Sequence, residues 1–293
     1  MKMNCSKIFG LALILSALML QSCNTQQDYT SYVKASIGTG GHGHVFFGAN
    51  RPHSMVNVGP DNTTLGWDWC SGYHSCDSTL AGFASNHLSG TGIADLGEIV
   101  LLPVTSQESA SEILSHSVTP GYYEATLSDG TKVELTAQNR TSYHRYTYPS
   151  STQNSQVCLD LEKSAKSLLF RQGLIECDFF EGENGIFYGY RKSDEWARGL
   201  DIFYAISFAP TASSYTRVDN KVYFNFGSAE SVEARVALSY SSSEAAIVNL
   251  EKEGRSSFNT VREDAKSAWV NELSRIEFEG ITAQTDTIFY TSL

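Results

Sequence analysis

The sequence predicts a mainly β protein, an antiparallel β-sandwich over residues 31–240 followed by two linker helices within residues 241–293. Three observations predict it. From about residue 99, short segments alternate apolar and polar residues with period 2, as half-buried strands do, and turn residues separate them. No long helical pattern interrupts these strands, which argues against the strand–helix alternation of a parallel sheet. After residue 241 the apolar spacing lengthens to that of a helix.

The clearest strand pair is "EATLSDGTKVELTA". Its Asp129-Gly130 turn joins two strands, because glycine tolerates the positive φ of a tight turn, and Val133, Leu135 and Ala137 share one face. "DIFYAISFA" places Ile202, Tyr204, Ile206 and Phe208 on a common face, and "KVYFNF" does so with Val222, Phe224 and Phe226. "EARVALSY" contributes Val236, Leu238 and Tyr240. The first helix is read in "SSSEAAIVNLEKEG", which opens on serine caps and stops at Gly254. A second follows, with Phe258, Val261, Ala265, Ala268, Trp269 and Ile276 at helical spacing. Trp269, Ile288 and Phe289 read as apolar residues in want of a partner surface.

Ahead of the sandwich, Lys2 and Lys7 precede the apolar run "IFGLALILSALML", which is too short for an ordinary membrane span. Residues 1–22 therefore read as a signal peptide. "LQSC" sets a small residue before Cys23, so Cys23 is expected to carry lipid, with residues 23–30 as a tether. The expected location is that of an exported bacterial lipoprotein, periplasmic or outer-membrane attached, touching the membrane through its lipid anchor. Removing residues 1–22 takes away two lysines and no acid, moving the formal charge from −11 to −13. So acidic a body disfavours nucleic acid and anionic lipid as ligands and suits a neutral one. Cys70, Cys76, Cys158 and Cys177 remain after processing. Export permits disulfides, the three possible pairings stay open, and without a CxxC pair neither a zinc ribbon nor a thioredoxin-like site is supported.

"IGTGGHGH", residues 37–44, has the glycine spacing of a dinucleotide-binding turn. Such a turn must open a helix, and Gly48, Pro52, Gly59 and Pro60 downstream forbid one, so a phosphate cradle is excluded. His42 and His44 fit one side of an extended metal site if His53, His74 or His87 supplies a third ligand; otherwise they are polar loop residues. "LGWDWCSGYHSCDS", residues 65–78, gathers flat apolar rings with polar edges, acids and a histidine, which suits the C–H face and hydroxyls of a sugar. Trp67 and Trp69 fit equally well a strand that fills the core. Asp95 and Glu98 are too close on one loop to span a glycosidic bond and read as turn caps.

The segments "YVKASIGTGGHGHVFFGA", "GWDWCSGYH", "HLSGTGIADLGEIVLLP", "PGYYEATLSDGTKVELTAQNRTSYHRYTYP", "RVALSYSSSEAAIVNLE" and "FYTSL" follow one another as in glycoside hydrolase family 92, which this chain resembles over nearly its whole mature length. Members of that family are calcium-dependent exo-α-mannosidases of bacteria that act on N-glycans and mannans. The resemblance implies that the glycine turn and tryptophan loop shape a mannose pocket, with Gly41, His44, Trp67, Asp68, Trp69, Cys70 and His87 as pocket or pocket-support residues. It also implies a large (α/α)-barrel domain that carries the catalytic glutamate and aspartates and most of the calcium shell. The present chain ends at Leu293, where that barrel is expected to begin. Hence no catalytic carboxylate and no calcium are expected for this chain alone. The function this implies is the substrate-pocket-forming part of an exported α-mannosidase, inactive by itself, whose partners are α-mannoside glycans and a separately encoded barrel domain docking on the helices. The alternative is a stand-alone, lipid-anchored glycan-binding protein.

Overall fold

The computed structural model describes residues 27–105, 111–164 and 173–293. The signal peptide and Cys23 lie outside the described residues. Within them the chain forms two antiparallel sheets, with strands numbered in chain order. One sheet holds β1 (Ala49–Asn50), β2 (Asn57–Asp61), β4 (Gly82–Ala84), β5 (Val100–Val104), β10 (Gln156–Asp160), β15 (Lys221–Asn225) and β14 (Ser214–Val218), in that spatial order. The other runs β11 (Leu174–Glu181), β12 (Phe187–Ser193), β13 (Leu200–Ala209), β16 (Ser231–Ser239), β9 (Thr141–Thr147), β8 (Lys132–Ala137), β7 (Tyr122–Leu127), β6 (Ser111–Thr119) and β3 (Thr79–Leu80).

Side-chain alternation builds the core between them. The expected hairpin is β7–β8, with Val133, Leu135 and Ala137 fully buried and Gly130 at φ +85° in the turn. Ile202, Tyr204 and Ile206 of β13 are fully buried, and Tyr204 and Ile206 sit opposite Leu238 and Val236 of β16. Val222 and Phe224 of β15 meet them from the facing sheet, with Leu101, Val157 and Leu159. Tyr240 departs from the expected pattern: β16 ends at Ser239, and the Tyr240 ring is exposed.

The larger sheet is covered on its second face by helices. α1 (Ser243–Glu253) starts where Ser242 Oγ accepts from the Ala245 N–H and stops at Gly254, as its sequence implies. It seats Ala246 and Leu250 on Ala205 and Ala237, whose small side chains on the outer faces of β13 and β16 let the helix approach closely. α2 (Phe258–Leu273) buries Phe258 and Val261 against Tyr122 and Tyr143 of β7 and β9. The guanidinium of Arg145 stands 4.1 Å from the Phe258 ring centre, adding a cation–π contact.

Three features of this region differ from the sequence reading. Trp269 is half-buried and its Nε1–H donates to the Asn50 carbonyl (2.9 Å), which docks α2 on the sandwich. Ile276 lies beyond the end of α2 and is exposed. A third helix, α3 (Ala283–Ser292), follows the two expected. Tyr290 of α3 is buried under Tyr29 and Tyr32, with ring centres 4.4 Å and 5.6 Å away. Among the described residues no helix is long and apolar enough to cross a membrane. Cys70, Cys76, Cys158 and Cys177 are all free thiols.

Candidate functional site

The glycine turn folds back on itself. The Val45 N–H donates to the Gly38 carbonyl (3.2 Å), and a Cβ on Gly43 would overlap that same oxygen, so only glycine closes the loop. No helix leaves it, in keeping with the exclusion of a phosphate cradle. The turn instead presents two imidazoles to the short 3₁₀ segment Trp67–Trp69. His42 Nδ1 lies 2.7 Å from Asp68 Oδ1, and His44 Nε2 lies 3.6 Å from the same oxygen. The His42 hydrogen bond holds the Asp68 carboxyl below the usual carboxylate range, which keeps it an ionised acceptor at neutral pH. The rings of His42 and His44 stand 5.0 Å and 4.4 Å from that of Trp67.

Trp67 is anchored by its edge. Its Nε1–H donates to the Gly92 carbonyl (2.7 Å), while the residue as a whole stays 52% exposed. His44 is buried and adopts φ +53°, a region non-glycine residues seldom occupy. Two donors fix its carbonyl there, the Ser71 hydroxyl and the Gly90 N–H. The surface therefore joins an exposed indole, a carboxylate and the His42 imidazole, with the buried His44 ring beside them.

The other expected residues are engaged with neighbouring loops. His74 Nε2–H donates to the Gly41 carbonyl (3.1 Å), and its Nδ1 accepts from the Cys76 N–H, which defines one neutral tautomer. Trp69 packs on His74 and donates to Asp77 Oδ2 (3.1 Å). It is half-buried on the 3₁₀ turn, so Trp67 and Trp69 do not alternate along a core strand. Cys70 is buried, and burial pushes its thiol up, away from the reactive thiolate. His87 is buried as well, donating from Nδ1 to the Asn57 carbonyl (2.8 Å) with Nε2 3.4 Å from Asp61 Oδ2.

Sequence reasoning passed over His42 as a sugar contact, and over Gly92 and Ser71 altogether. The i, i+2 spacing of His42 and His44 was the available signal for the first. None of the three histidines considered as a third metal ligand to that pair joins it: His53 lies by Glu272, His74 turns to Gly41 and His87 to Asp61. Among the described residues no three His, Cys, Asp or Glu are grouped to hold a metal ion.

Asp95 and Glu98 serve the scaffold. Asp95 Oδ2 accepts from the Ala197 N–H (2.6 Å), and fully buried Glu98 is ion-paired with fully buried Arg191. A separate apolar cavity of about 500 Å³ lies between the sandwich and the helices, lined by Val33, Ile37, Phe46, Trp269, Tyr290 and Leu293 among others. It shares the glycine turn with the Trp67 cluster but contains none of that cluster's polar groups.

The sequence profile of the glycosyl hydrolase family 92 N-terminal domain matches residues 32–251. The chain belongs to glycosyl hydrolase family 92. The profile of the family 92 catalytic domain matches residues 245–293, which include α2, α3 and most of α1. An uncharacterized secreted glycosidase of Arthroderma benhamiae is 26% identical over 314 residues, 86% of this chain and 39% of that protein. A family 92 alpha-mannosidase structure from Bacteroides thetaiotaomicron superposes with TM-score 0.81 at 24% identity, over 91% of this chain and 41% of that one. A family 92 inverting mannosidase from the same organism gives TM-score 0.74 at 21% identity, over 90% and 38%. The chain thus spans about two fifths of the length of these family 92 relatives. At these identities the structural likeness is one of fold.

Proposed function

We propose that this chain is the sugar-cupping part of an exported glycoside hydrolase acting on α-mannosides, and that it binds such glycans without cleaving them by itself. The observation that carries this reading is the Trp67 cluster. An exposed indole face meets the C–H side of a pyranose, while His42 and Asp68 at its rim offer partners to ring hydroxyls. Family membership and the mannosidase activity named for two structural relatives, one of them an alpha-mannosidase, support an α-mannoside as the ligand. The secreted relative supports export.

Inverting hydrolysis needs two carboxyl groups about 6.5–9.5 Å apart, one protonated and one ionised. Beside Trp67 the carboxylate at the surface is the ionised Asp68, while Asp95 and Glu98 are engaged in the scaffold. One carboxylate acceptor suffices to bind a sugar and not to protonate a leaving oxygen. Isothermal titration of the purified chain with mannose and α-mannobiosides is expected to register binding that Trp67→Ala weakens about tenfold or more. Incubation with α-1,2-mannobiose is expected to release no mannose above the uncatalysed rate. Binding unaffected by Trp67→Ala, or steady turnover of the disaccharide, overturns the reading.

A further inference from the structure

Two of the four tryptophans are exposed, Trp67 and Trp196, the latter by 55%. Trp196 lies on the loop between β12 and β13, and both its neighbours are tied to buried acids or are themselves one. Glu195 points inward, where its carboxylate accepts from the Ser164 hydroxyl (2.7 Å) and stands 3.8 Å from Arg191 Nη2. The Ala197 N–H donates to Asp95 Oδ2 (2.6 Å). Arg191 is fully buried; it pairs with Glu98 and donates from Nε to the Leu161 carbonyl (3.0 Å). Assembling buried charges of this kind contributes little net stability and serves to fix position. These contacts hold the residues on either side of the exposed Trp196.

The loop is also joined to the site already described. Asp95, which holds Ala197, is three residues from Gly92, whose carbonyl holds the Trp67 indole. Three residues span at most about 11 Å of chain. One short segment therefore fixes the edge of one exposed tryptophan and the loop that carries the other. Two exposed aromatic rings whose loops are tied to one short segment form the kind of surface that stacks successive units of an oligosaccharide.

We propose that Trp196 is a second sugar platform, stacking on a further ring of the α-mannoside chain whose first ring rests on Trp67. This rests on the function proposed above. The test titrates the purified chain, its Trp196→Ala and Trp196→Tyr variants, and Trp67→Ala, with mannose and with a linear α-mannotriose. The expected result is that Trp196→Ala leaves mannose affinity unchanged and weakens mannotriose about tenfold, that Trp196→Tyr keeps most of the mannotriose affinity, and that Trp67→Ala weakens both ligands. Unchanged mannotriose affinity in Trp196→Ala overturns the second platform while leaving the first intact. Equal loss of mannose and mannotriose in Trp196→Ala also overturns it, because the residue then supports the loop and not a second ring. A wild-type chain that binds neither ligand overturns the proposed function and this inference together.

Discussion

At Gly92 one residue serves an indole three ways: its carbonyl takes the Trp67 N–H, its φ is +62°, and its lack of a Cβ leaves room for His44 Nδ1, which a methyl would approach to 3.2 Å. Gly92→Ala is expected to cost about 1 kcal/mol or more, lowering Tm by about 2–4 °C in a thermal melt, and to weaken mannoside binding in the same sample. A variant with the wild-type melt and affinity would show that neither the backbone angle nor the crowding matters. Gly92 was not legible as a site residue, because a backbone carbonyl leaves no mark in composition. Trp67 and Trp69 were equivalent in the sequence for a related reason. The partner each indole edge finds, a carbonyl for one and Asp77 with His74 for the other, sets which ring faces solvent, and those partners come from distant loops. Acid, imidazole and indole crowd into short loops, and that composition singles out Asp68, His44, Cys70 and His87 alike, whereas burial, which composition does not show, covers His44, Cys70 and His87 and leaves Asp68 part-exposed.

Among the elements, those written in local chemistry were the ones read correctly. The Asp129-Gly130 hairpin, the strand faces of β13 and β15, and the Ser242 and Gly254 boundaries of α1 each rest on a few adjacent residues. α3 escaped notice because Thr285, Thr287 and Ile288 are weak helix formers, and its anchoring depends on Tyr29 and Tyr32 from the other end of the chain. The β12–β13 loop offers an element-scale test through Glu195. Burial pushes its carboxyl up to about 7 from 4.5, with Ser164 and Arg191 opposing the rise and Glu98 and Asp95 adding to it. A folded value above the unfolded one means that the neutral acid is favoured in the fold. The contribution is therefore fully present below about pH 4.5 and is lost as pH rises through about 7. Urea midpoints followed from about pH 5 to about pH 8 are expected to show this decline, and Glu195→Gln is expected to flatten it. An identical slope in the variant would mean that the pair with Arg191 keeps the carboxylate ionised throughout.

For the whole molecule, the sandwich and the helices after it were implied by period, while the docking of those helices on the larger sheet was not. Trp269 is satisfied internally, yet Ile276, Ile281, Ile288 and Leu293 are 49%, 100%, 55% and 54% exposed around α3. Exposed apolar side chains of this kind promote association. Static light scattering of the purified chain is expected to show a mass that grows with concentration, and the Ile281→Lys, Ile288→Lys double variant to return it toward the monomer. A wild-type mass that stays monomeric over the same range would rule this out. The tyrosine stack bears on the same region from the opposite terminus. Because Tyr29 and Tyr32 roof over Tyr290, the earliest described turn acts as a clasp on the last helix. Trimming a few residues past position 28 would unfasten the far end of the polypeptide, and anything fused ahead of the clasp is delivered to the same flank as anything fused behind α3.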